Sequence, residues 1–242
     1  MIITIDGPAA SGKSTISLAL ANRLSLYYVA TGLLYRFIAY QLVFREKVNE
    51  SMLLKVNKAR VHELLFSSIF EYRYSPLQGA QIFYRGEDYS SFLKKANVDK
   101  WASIVGSLPQ VREEIVAFQR KLATKHGLVV EGRDGGTVVF PQAEFKFFLT
   151  ASEEVRARRW QHDQLRFNNI FTLEESVRQV HERDDRDKNR EASPLKQAQD
   201  AILIDNSTMT LGATIDYIVD LVQKGSPQVE AAVEQINDTQ VS

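Results

Sequence analysis

The first residues whose types and spacing could do chemistry lie close to the N-terminus. The run GPAASGKS matches the pattern G-x-x-x-x-G-K-S/T. Its glycines let the backbone approach a phosphate closely, and the N–H groups at a following helix N-terminus then point at that phosphate. The lysine can reach the β- and γ-phosphates, and the final serine hydroxyl can ligate Mg²⁺. We therefore predict a nucleoside triphosphate site with Ser14 as metal ligand, formed by Gly7, Pro8, Ala9, Ala10, Ser11, Gly12, Lys13, Ser14 and Thr15.

The segments on either side of this loop support the prediction. Residues 1–5 form a short apolar, β-branched run that is typical of a buried strand. Residues 14–26 place apolar side chains at helical spacing. The loop thus lies between a strand end and a helix start, which disfavours the alternative of an ordinary glycine-rich turn.

A second candidate is Arg36, which follows the predicted strand 26–29. Thr31 is a plausible N-cap for a helix that continues to about residue 45. Strand ends face the ligand crevice in open α/β sheets, so Arg36 could bind a second phosphate. A solvated surface arginine is an equally good interpretation of this stretch alone.

The third candidate is a glycine-rich turn after the predicted strand 128–131. It reads Gly-Arg-Asp-Gly-Gly and contains Arg133 and Asp134. A plain turn has no need of the arginine, so this strand end is a strong candidate for a binding site.

Alternating strand and helix patterns predict an α/β fold with a parallel sheet covered on both faces. The fourth and fifth strands are predicted at 145–149 and 201–204, with a final helix at 211–222. Two aromatic runs, 70–74 and 81–84, predict an inserted antiparallel hairpin. One or two helices are expected within 98–122, with a break near Pro109.

Residues 153–196 contain ten basic and ten acidic residues and are too polar to form much core. They could form an exposed helical pair with many salt bridges, or a mobile lid whose arginines close on phosphates. The charge density within 182–190 favours the lid, because such crowding is costly without a polyanionic ligand.

Bulk composition limits the possible partners. The 242 residues carry 30 Lys+Arg and 30 Asp+Glu, so no overall charge favours nucleic acid or membrane. There is no cysteine, and the four histidines show no metal-ligand spacing. With no signal peptide pattern and no apolar run of membrane-spanning length, we expect a soluble, cytoplasmic monomer whose substrates are small molecules. Residues 225–242 are expected to form a tail beyond the domain.

Several stretches together resemble the bacterial cytidylate kinases, which transfer the γ-phosphate of ATP to CMP or dCMP. The matching stretches are ITIDGPAASGKST at 3–15, TGLLYR at 31–36, GEDYSSFLKKANV at 86–98, ASIVGSLPQVRE at 102–113, EGRDGGTVVFPQAEFKFFLTAS at 131–152 and ERDDRDKNREASPLKQAQDAILIDNS at 182–207. The resemblance implies a P-loop three-layer sandwich with a five-stranded parallel sheet. It also implies an inserted subdomain with a small antiparallel sheet that binds the nucleoside monophosphate, and a helical lid.

The domain division that follows is a core of residues 1–36, 106–152 and 198–224. We call residues 37–105, approximately, the insertion, and residues 153–197, approximately, the arginine-rich segment.

The resemblance also implies roles for individual residues. Acceptor phosphate, cytosine and sugar would be bound by Thr31, Arg36, Ser103, Arg112, Arg133, Asp134, Arg183, Asp187 and Arg190. Of these, Ser103, Arg112 and Asp134 correspond to positions around the base. The implied catalytic residues are Lys13, Arg133, Arg183 and Arg190, with Mg²⁺ and ATP as cofactor and phosphate donor.

The chain departs from the family pattern at three positions, Ala30, Gly135 and Lys188. The family commonly has aspartate, a bulky apolar residue and arginine there. A glycine at 135 is expected to loosen the turn that carries Asp134. Two alternative functions therefore stay open: a P-loop kinase with a different acceptor, and a nucleotide-binding module that has lost turnover.

Overall fold

The computed structural model describes residues 1–166 and 168–225, and the predicted tail 226–242 lies outside them. The strands in chain order are β1 (Ile2–Asp6), β2 (Tyr27–Ala30), β3 (Phe70–Ser75), β4 (Gly79–Tyr84), β5 (Glu87–Asp88), β6 (Leu128–Gly132), β7 (Phe145–Thr150) and β8 (Ile202–Asp205). Five of these strands form a parallel sheet in the order β2-β6-β1-β7-β8. The predicted fold class is confirmed.

The helices are α1 (Lys13–Leu24), α2 (Thr31–Ala39), α3 (Glu50–Leu53), α4 (Lys58–Phe66), α5 (Ser90–Leu93), α6 (Ala96–Val105), α7 (Pro109–Ala123), α8 (Glu153–Leu165), α9 (Leu173–Asn189) and α10 (Leu211–Lys224). Two π-helical segments complete the list, Tyr40–Arg45 after α2 and Gly135–Val139 after β6. In the described part of the chain, no helix is both long enough and apolar enough to cross a membrane.

Both faces of the parallel sheet are buried, which gives three layers. The strands are near-continuous apolar runs, as expected when helices cover both faces. On one face, Ile3 and Phe147 pack in one cluster with Leu20 of α1 and Ile218 of α10. On the other face, Val130 packs with residues of the second π-helical segment and with α7. This packing places the carboxyl ends of all five strands at one edge of the sheet, together with the glycine-rich turns.

Helix starts show where local signals decide the structure and where they do not. Pro109 is the first residue of α7 and separates it from α6, as predicted. Thr172 begins α9 with a reciprocal capping box to Glu175.

The predicted N-cap role of Thr31 is wrong: Ala30 precedes the helix, and the Thr31 hydroxyl donates to Gln119 Oε1 at 2.8 Å. Both side chains are buried, so the hydroxyl pairs with a distant amide instead of a helix N–H.

The insertion has its own small sheet, β3-β4-β5, whose apolar side chains pack in one cluster with residues of α2 and α7. The predicted antiparallel hairpin is confirmed by the pairing of β3 with β4. Phe37 of α2 lies fully buried in this cluster, with its ring 4.8 Å from Phe70 and 5.3 Å from Tyr84. Aromatic packing therefore attaches the small sheet to the helix that follows β2.

In the arginine-rich segment, α8 and α9 pack against each other. The predicted helical pair is thus present. Its buried apolar residues are few, and include Ala157 and Val180. Whether the pair moves stays a prediction.

We expect Phe37→Ala to lower the free energy of unfolding by about 3–5 kcal/mol, because it leaves a cavity in this apolar cluster. Urea titration followed by circular dichroism measures this change. The matched control is Phe92→Ala on the same insertion, where the side chain is 42% exposed and the loss should stay below about 1 kcal/mol. Equal losses in the two variants would contradict the packing described here.

Candidate active site

The loop between β1 and α1 depends on two glycines. Gly7 has φ +149°, and a Cβ at this residue would lie 2.0 Å from the carbonyl oxygen of Leu149 in β7. Gly12 has φ +92° and precedes the first helical residue of α1. Both positions require a residue without a side chain. The loop is thereby pressed against the sheet edge, with the N-terminus of α1 directed into it.

Lys13 is held inside this loop by loop oxygens. Its Nζ donates to the carbonyl oxygen of Pro8 at 2.5 Å and to Ser11 Oγ at 3.1 Å, and the residue is only 5% exposed. Burial, together with the nearby Arg133, lowers the pKa of Lys13 well below its usual value. An anion bound at this loop would offset both causes by stabilising the charged form of Lys13.

Ser14 is paired with Glu131, a residue that sequence reasoning did not single out. The Ser14 hydroxyl donates to Glu131 Oε2 at 2.8 Å, and Glu131 is buried at the end of β6. Hydroxyl and carboxylate oxygens are suitable ligands for Mg²⁺, so this pair fits the predicted metal. No cluster of three or more acidic, histidine or cysteine side chains that could hold a metal occurs in the described ranges. Substrate phosphates would therefore have to complete the coordination. The signal for Glu131 was its position at the end of an apolar strand run.

The second glycine-rich turn is fixed to the end of β1 by Asp6. The N–H groups of Gly135 and Gly136 donate to the two carboxylate oxygens of Asp6, at 2.9 and 2.7 Å. A Cβ at Gly135 would lie 3.1 Å from Asp6 Oδ1. These bonds oppose the loosening expected from glycine at position 135, since both backbone donors are engaged.

Asp134 and Arg112 form a buried ion pair beside this turn. Asp134 is 2% exposed and pairs with the Arg112 guanidinium, which also donates to the carbonyl oxygen of Gly106 at 2.9 Å. Arg190 Nη2 approaches Asp134 Oδ1 at 3.8 Å. Within the described part of the chain, the buried donors Arg112 Nε and Arg190 Nη2 have no hydrogen-bond partner. Buried unsatisfied donors are rare, and here they favour a ligand that brings acceptors into this corner.

Three of the predicted nucleotide-binding arginines are paired with carboxylates. Arg36 Nη2 and Arg183 Nη1 lie 2.6 and 2.9 Å from the two oxygens of Asp99. Arg133 Nε donates to Asp187 Oδ2 at 2.7 Å. The structure thus brings the predicted arginines to one cleft. Asp99 was missed; it lies one helical turn before the predicted Ser103 on α6, which is a signal that could have found it.

The two other predicted residues are Ser103 and Thr31. Ser103 is half-buried on α6. Thr31 Oγ1 lies 3.5 Å from the position that a Cβ of Gly132 would take, so Thr31 borders the second turn. Its hydrogen is donated to Gln119, so in this arrangement it offers acceptor lone pairs to the cleft and not a donor.

Side chains of the arginine-rich segment contact the backbone of the phosphate-binding loop. Asp184 Oδ1 accepts from the N–H of Ala9 at 2.8 Å, and its other oxygen pairs with Arg156. Arg159 donates to the carbonyl oxygen of Ser11 at 3.3 Å. These contacts are buried or half-buried, unlike the exposed i,i+4 pair of Arg158 with Glu154. The segment is therefore more than a solvated salt-bridge surface.

Comparison with known proteins identifies the family. The profile of the family described as cytidylate kinase matches residues 3–224. The cytidylate kinase of Desulforamulus reducens is 38% identical over 226 residues, which cover 92% of this chain and 97% of that protein. The cytidylate kinase of Geobacillus sp. strain WCH70 is 39% identical over 225 residues, with 92% and 96% covered. The chain belongs to the cytidylate kinase family.

Membership confirms the resemblance predicted from the motifs, and cytidylate kinases are phosphotransferases. A solved structure of an uncharacterized protein from Eubacterium ventriosum has a TM-score of 0.51 and 12% identity, and the match covers 92% of this chain and 98% of that one. At this identity the likeness supports the fold alone. Within the family, the roles of the individual site residues stay predictions.

Asp6 gives a pH-dependent prediction. Burial raises its pKa from 3.8 to about 6, although the N–H groups of Gly136 and Gly135 pull the value down. Because the folded value is the higher one, Asp6 contributes most to stability below pH 3.8, and this contribution is lost as pH rises through about 6. We expect the unfolding free energy of the wild type, minus that of Asp6→Asn, to fall by about 2 kcal/mol between about pH 4 and about pH 7. Urea titrations across this range measure it, and a flat difference would contradict the assignment.

Proposed function

We propose that this member of the cytidylate kinase family transfers the γ-phosphate of ATP to CMP, and to dCMP, with Mg²⁺. The observation that carries the proposal is the convergence of cations on one cleft beside a buried carboxylate that can read a base. The cations are Lys13, Arg36, Arg133, Arg183 and Arg190, and the carboxylate is Asp134.

The donor side of the cleft is the loop of residues 7–15. Its backbone N–H groups and the N-terminus of α1 would bind the ATP phosphates, and Lys13 would move from its loop oxygens to the β- and γ-phosphates. Ser14 and Glu131 are the residues that would hold Mg²⁺. The ion would supply neutralisation of charge on the phosphates.

The acceptor side is formed by arginines from three parts of the chain. Arg36 comes from α2, Arg133 from the turn after β6 and Arg183 from α9. Each of the three pairs with a carboxylate, which supports a role in binding an anion. A phosphate dianion accepts several guanidinium hydrogen bonds at once, so it is the natural ligand of such a group.

The base would be read by the corner around Asp134. Cytosine has an N4 amino donor where uracil has an O4 acceptor, so a carboxylate accepts from the first and repels the second. Arg112 can donate to the cytosine N3 or O2, and its unpaired Nε lies in the same corner. Asp187 can accept from a ribose hydroxyl, with Arg190 beside it.

Transfer along this cleft needs little covalent help from the protein. An oxygen of the CMP phosphate forms a bond to the γ-phosphorus of ATP as the bond to the β–γ bridging oxygen breaks, which yields CDP and ADP. The attacking oxygen is already ionised near neutral pH, so no general base is required. Lys13 and the arginines offset the charge of the transferring group, and positioning supplies much of the rest.

The domain division supports the same scheme. We assign residues 1–36, 106–152 and 198–224 to the core. The insertion, joined to the rest of the domain through the apolar cluster around Phe37, would close over the acceptor. The arginine-rich segment would act as the lid and exclude water when both nucleotides are bound.

The direct test is a coupled assay with ATP, MgCl₂ and CMP. We expect CDP and ADP in equal amounts, loss of activity with EDTA, and a loss of at least about 100-fold in kcat for Lys13→Met. Product formed only with another nucleotide or a small metabolite would instead support a changed acceptor. Calorimetric binding of ATP and CMP without any product would support a module that has lost turnover.

A second prediction concerns base selection. Asp134→Asn keeps the side-chain shape but presents an NH₂ group that can donate to uracil O4. We expect the ratio of kcat/KM for CMP over UMP to fall at least about tenfold. Asp220→Asn on the exposed side of α10 is the matched control and should leave the ratio unchanged. An unchanged ratio in Asp134→Asn would mean that this carboxylate does not read the base.

A further inference from the structure

Asp99 joins three parts of the chain through its carboxylate. The residue lies on α6 of the insertion. One carboxylate oxygen pairs with Arg36 of α2 and the other with Arg183 of α9, at 2.6 and 2.9 Å. A single anion therefore bridges the insertion, the helix after β2 and the proposed lid.

The two arginines on Asp99 are those assigned to the acceptor nucleotide. Two guanidinium groups that meet on one anion form the arrangement that also suits a phosphate. Burial raises the pKa of Asp99, but Arg183 and Arg36 outweigh it and hold the pKa below its usual value. Asp99 is thus ionised at neutral pH, and a full negative charge lies between these two arginines.

The ion pairs of Asp99 are accessible enough for another anion to replace its carboxylate. The side chains of Asp99, Arg36 and Arg183 are each about 30% exposed. The pairs of Asp99 are part-buried, so water can still reach them and screens their attraction. By contrast, Asp134 and Asp187 lie deeper, with side chains 3% and 12% exposed. A phosphate dianion carries more charge than a carboxylate and can replace Asp99 on both arginines.

We propose that the Asp99 carboxylate is an internal competitor of the acceptor phosphate, which must displace it from Arg36 and Arg183. The proposal rests on the function proposed above, since it takes the phosphate to be that of CMP. In the free enzyme, Asp99 keeps the two arginines paired and links the insertion to the lid. In the complex, the phosphate takes over both arginines and Asp99 is released to solvent.

The opposite role makes the opposite prediction. If Asp99 instead orients the two arginines for the phosphate, its loss weakens acceptor binding. If it competes with the phosphate, its loss strengthens binding. The sign of the change in affinity therefore decides between the two roles.

The test is calorimetry on the full chain and on Asp99→Asn, which removes the charge and keeps the side-chain size. We expect Asp99→Asn to bind CMP about tenfold more tightly, as the loss of two partly exposed pairs implies. Cytidine, which lacks the phosphate, should bind with unchanged affinity. Asp99→Glu keeps the charge and should bind CMP within about twofold of the wild type. Unchanged or weaker binding of CMP by Asp99→Asn would overturn the proposal.

Two controls separate this bridge from a general change in charge. Asp220→Asn removes one negative charge on α10 and should leave all affinities within about twofold. ATP binding is the second control, because an equal tightening for ATP and CMP in Asp99→Asn would trace the gain to overall charge and overturn the proposal.

Failure of the proposed function gives a different result. If the wild type neither binds CMP nor forms CDP, the function is wrong, and inorganic phosphate then tests Asp99 by itself. Saturating ADP with Mg²⁺ occupies the loop of residues 7–15 during that titration. Tighter phosphate binding by Asp99→Asn than by the wild type supports the competition, and equal binding overturns it.

Discussion

The structure depends on balancing many cations that lie together at the carboxyl edge of one sheet. Burial and the neighbouring Arg133 lower the pKa of both Lys13 and Arg183. Like charges repel each other more strongly where less water separates them. The fold meets this constraint by pairing the arginines with carboxylates from distant parts of the chain, such as Asp99 and Asp187. The cleft is thus close to neutral before any nucleotide enters it.

The same ion pairs also set how the parts of the molecule are connected. Arg133 with Asp187 joins the core turn to α9, and Arg36 with Asp99 joins α2 to the insertion. The contact of Asp184 with the N–H of Ala9 joins α9 to the phosphate-binding loop. Any polyanion that takes over these cations must therefore change the links between elements. Neutralising the cleft cations and changing the links between elements are therefore two consequences of one exchange of partners.

The sequence predicts the features that depend on residues close together in the chain. Apolar strand runs, the glycine pattern of the loop and the aromatic hairpin around Gly79 each follow from short-range periodicity or from steric need. Arg133 and Asp134 were found because a plain turn has no use for them. The fold class and family could therefore be predicted almost entirely from the sequence.

The residues that were missed form long-range pairs. Asp6 accepts from N–H groups about 130 positions later, and Glu131 accepts from Ser14 across two neighbouring elements. Both carboxylates follow an apolar strand run, but no local pattern shows which distant group each of them pairs with. For Thr31 the local context predicts a helix cap, but in the folded structure its hydroxyl donates to the distant Gln119 instead. The tertiary fold determines which hydrogen-bond partner each of these side chains has, so residue spacing could not predict it.

The contacts in the structure show what surrounds the three positions that depart from the family pattern. The backbone N–H of Ala30 donates to the Tyr72 hydroxyl at 2.8 Å, so the insertion hairpin holds this strand end without an acidic side chain. Gly135 is held by Asp6 through its backbone, and Lys188 lies on the exposed side of α9. None of the three positions carries a carboxylate or arginine of the cleft ion pairs described above. The departures therefore fall where backbone contacts or solvent can replace a side chain, while the charge balance on which the cleft depends stays intact.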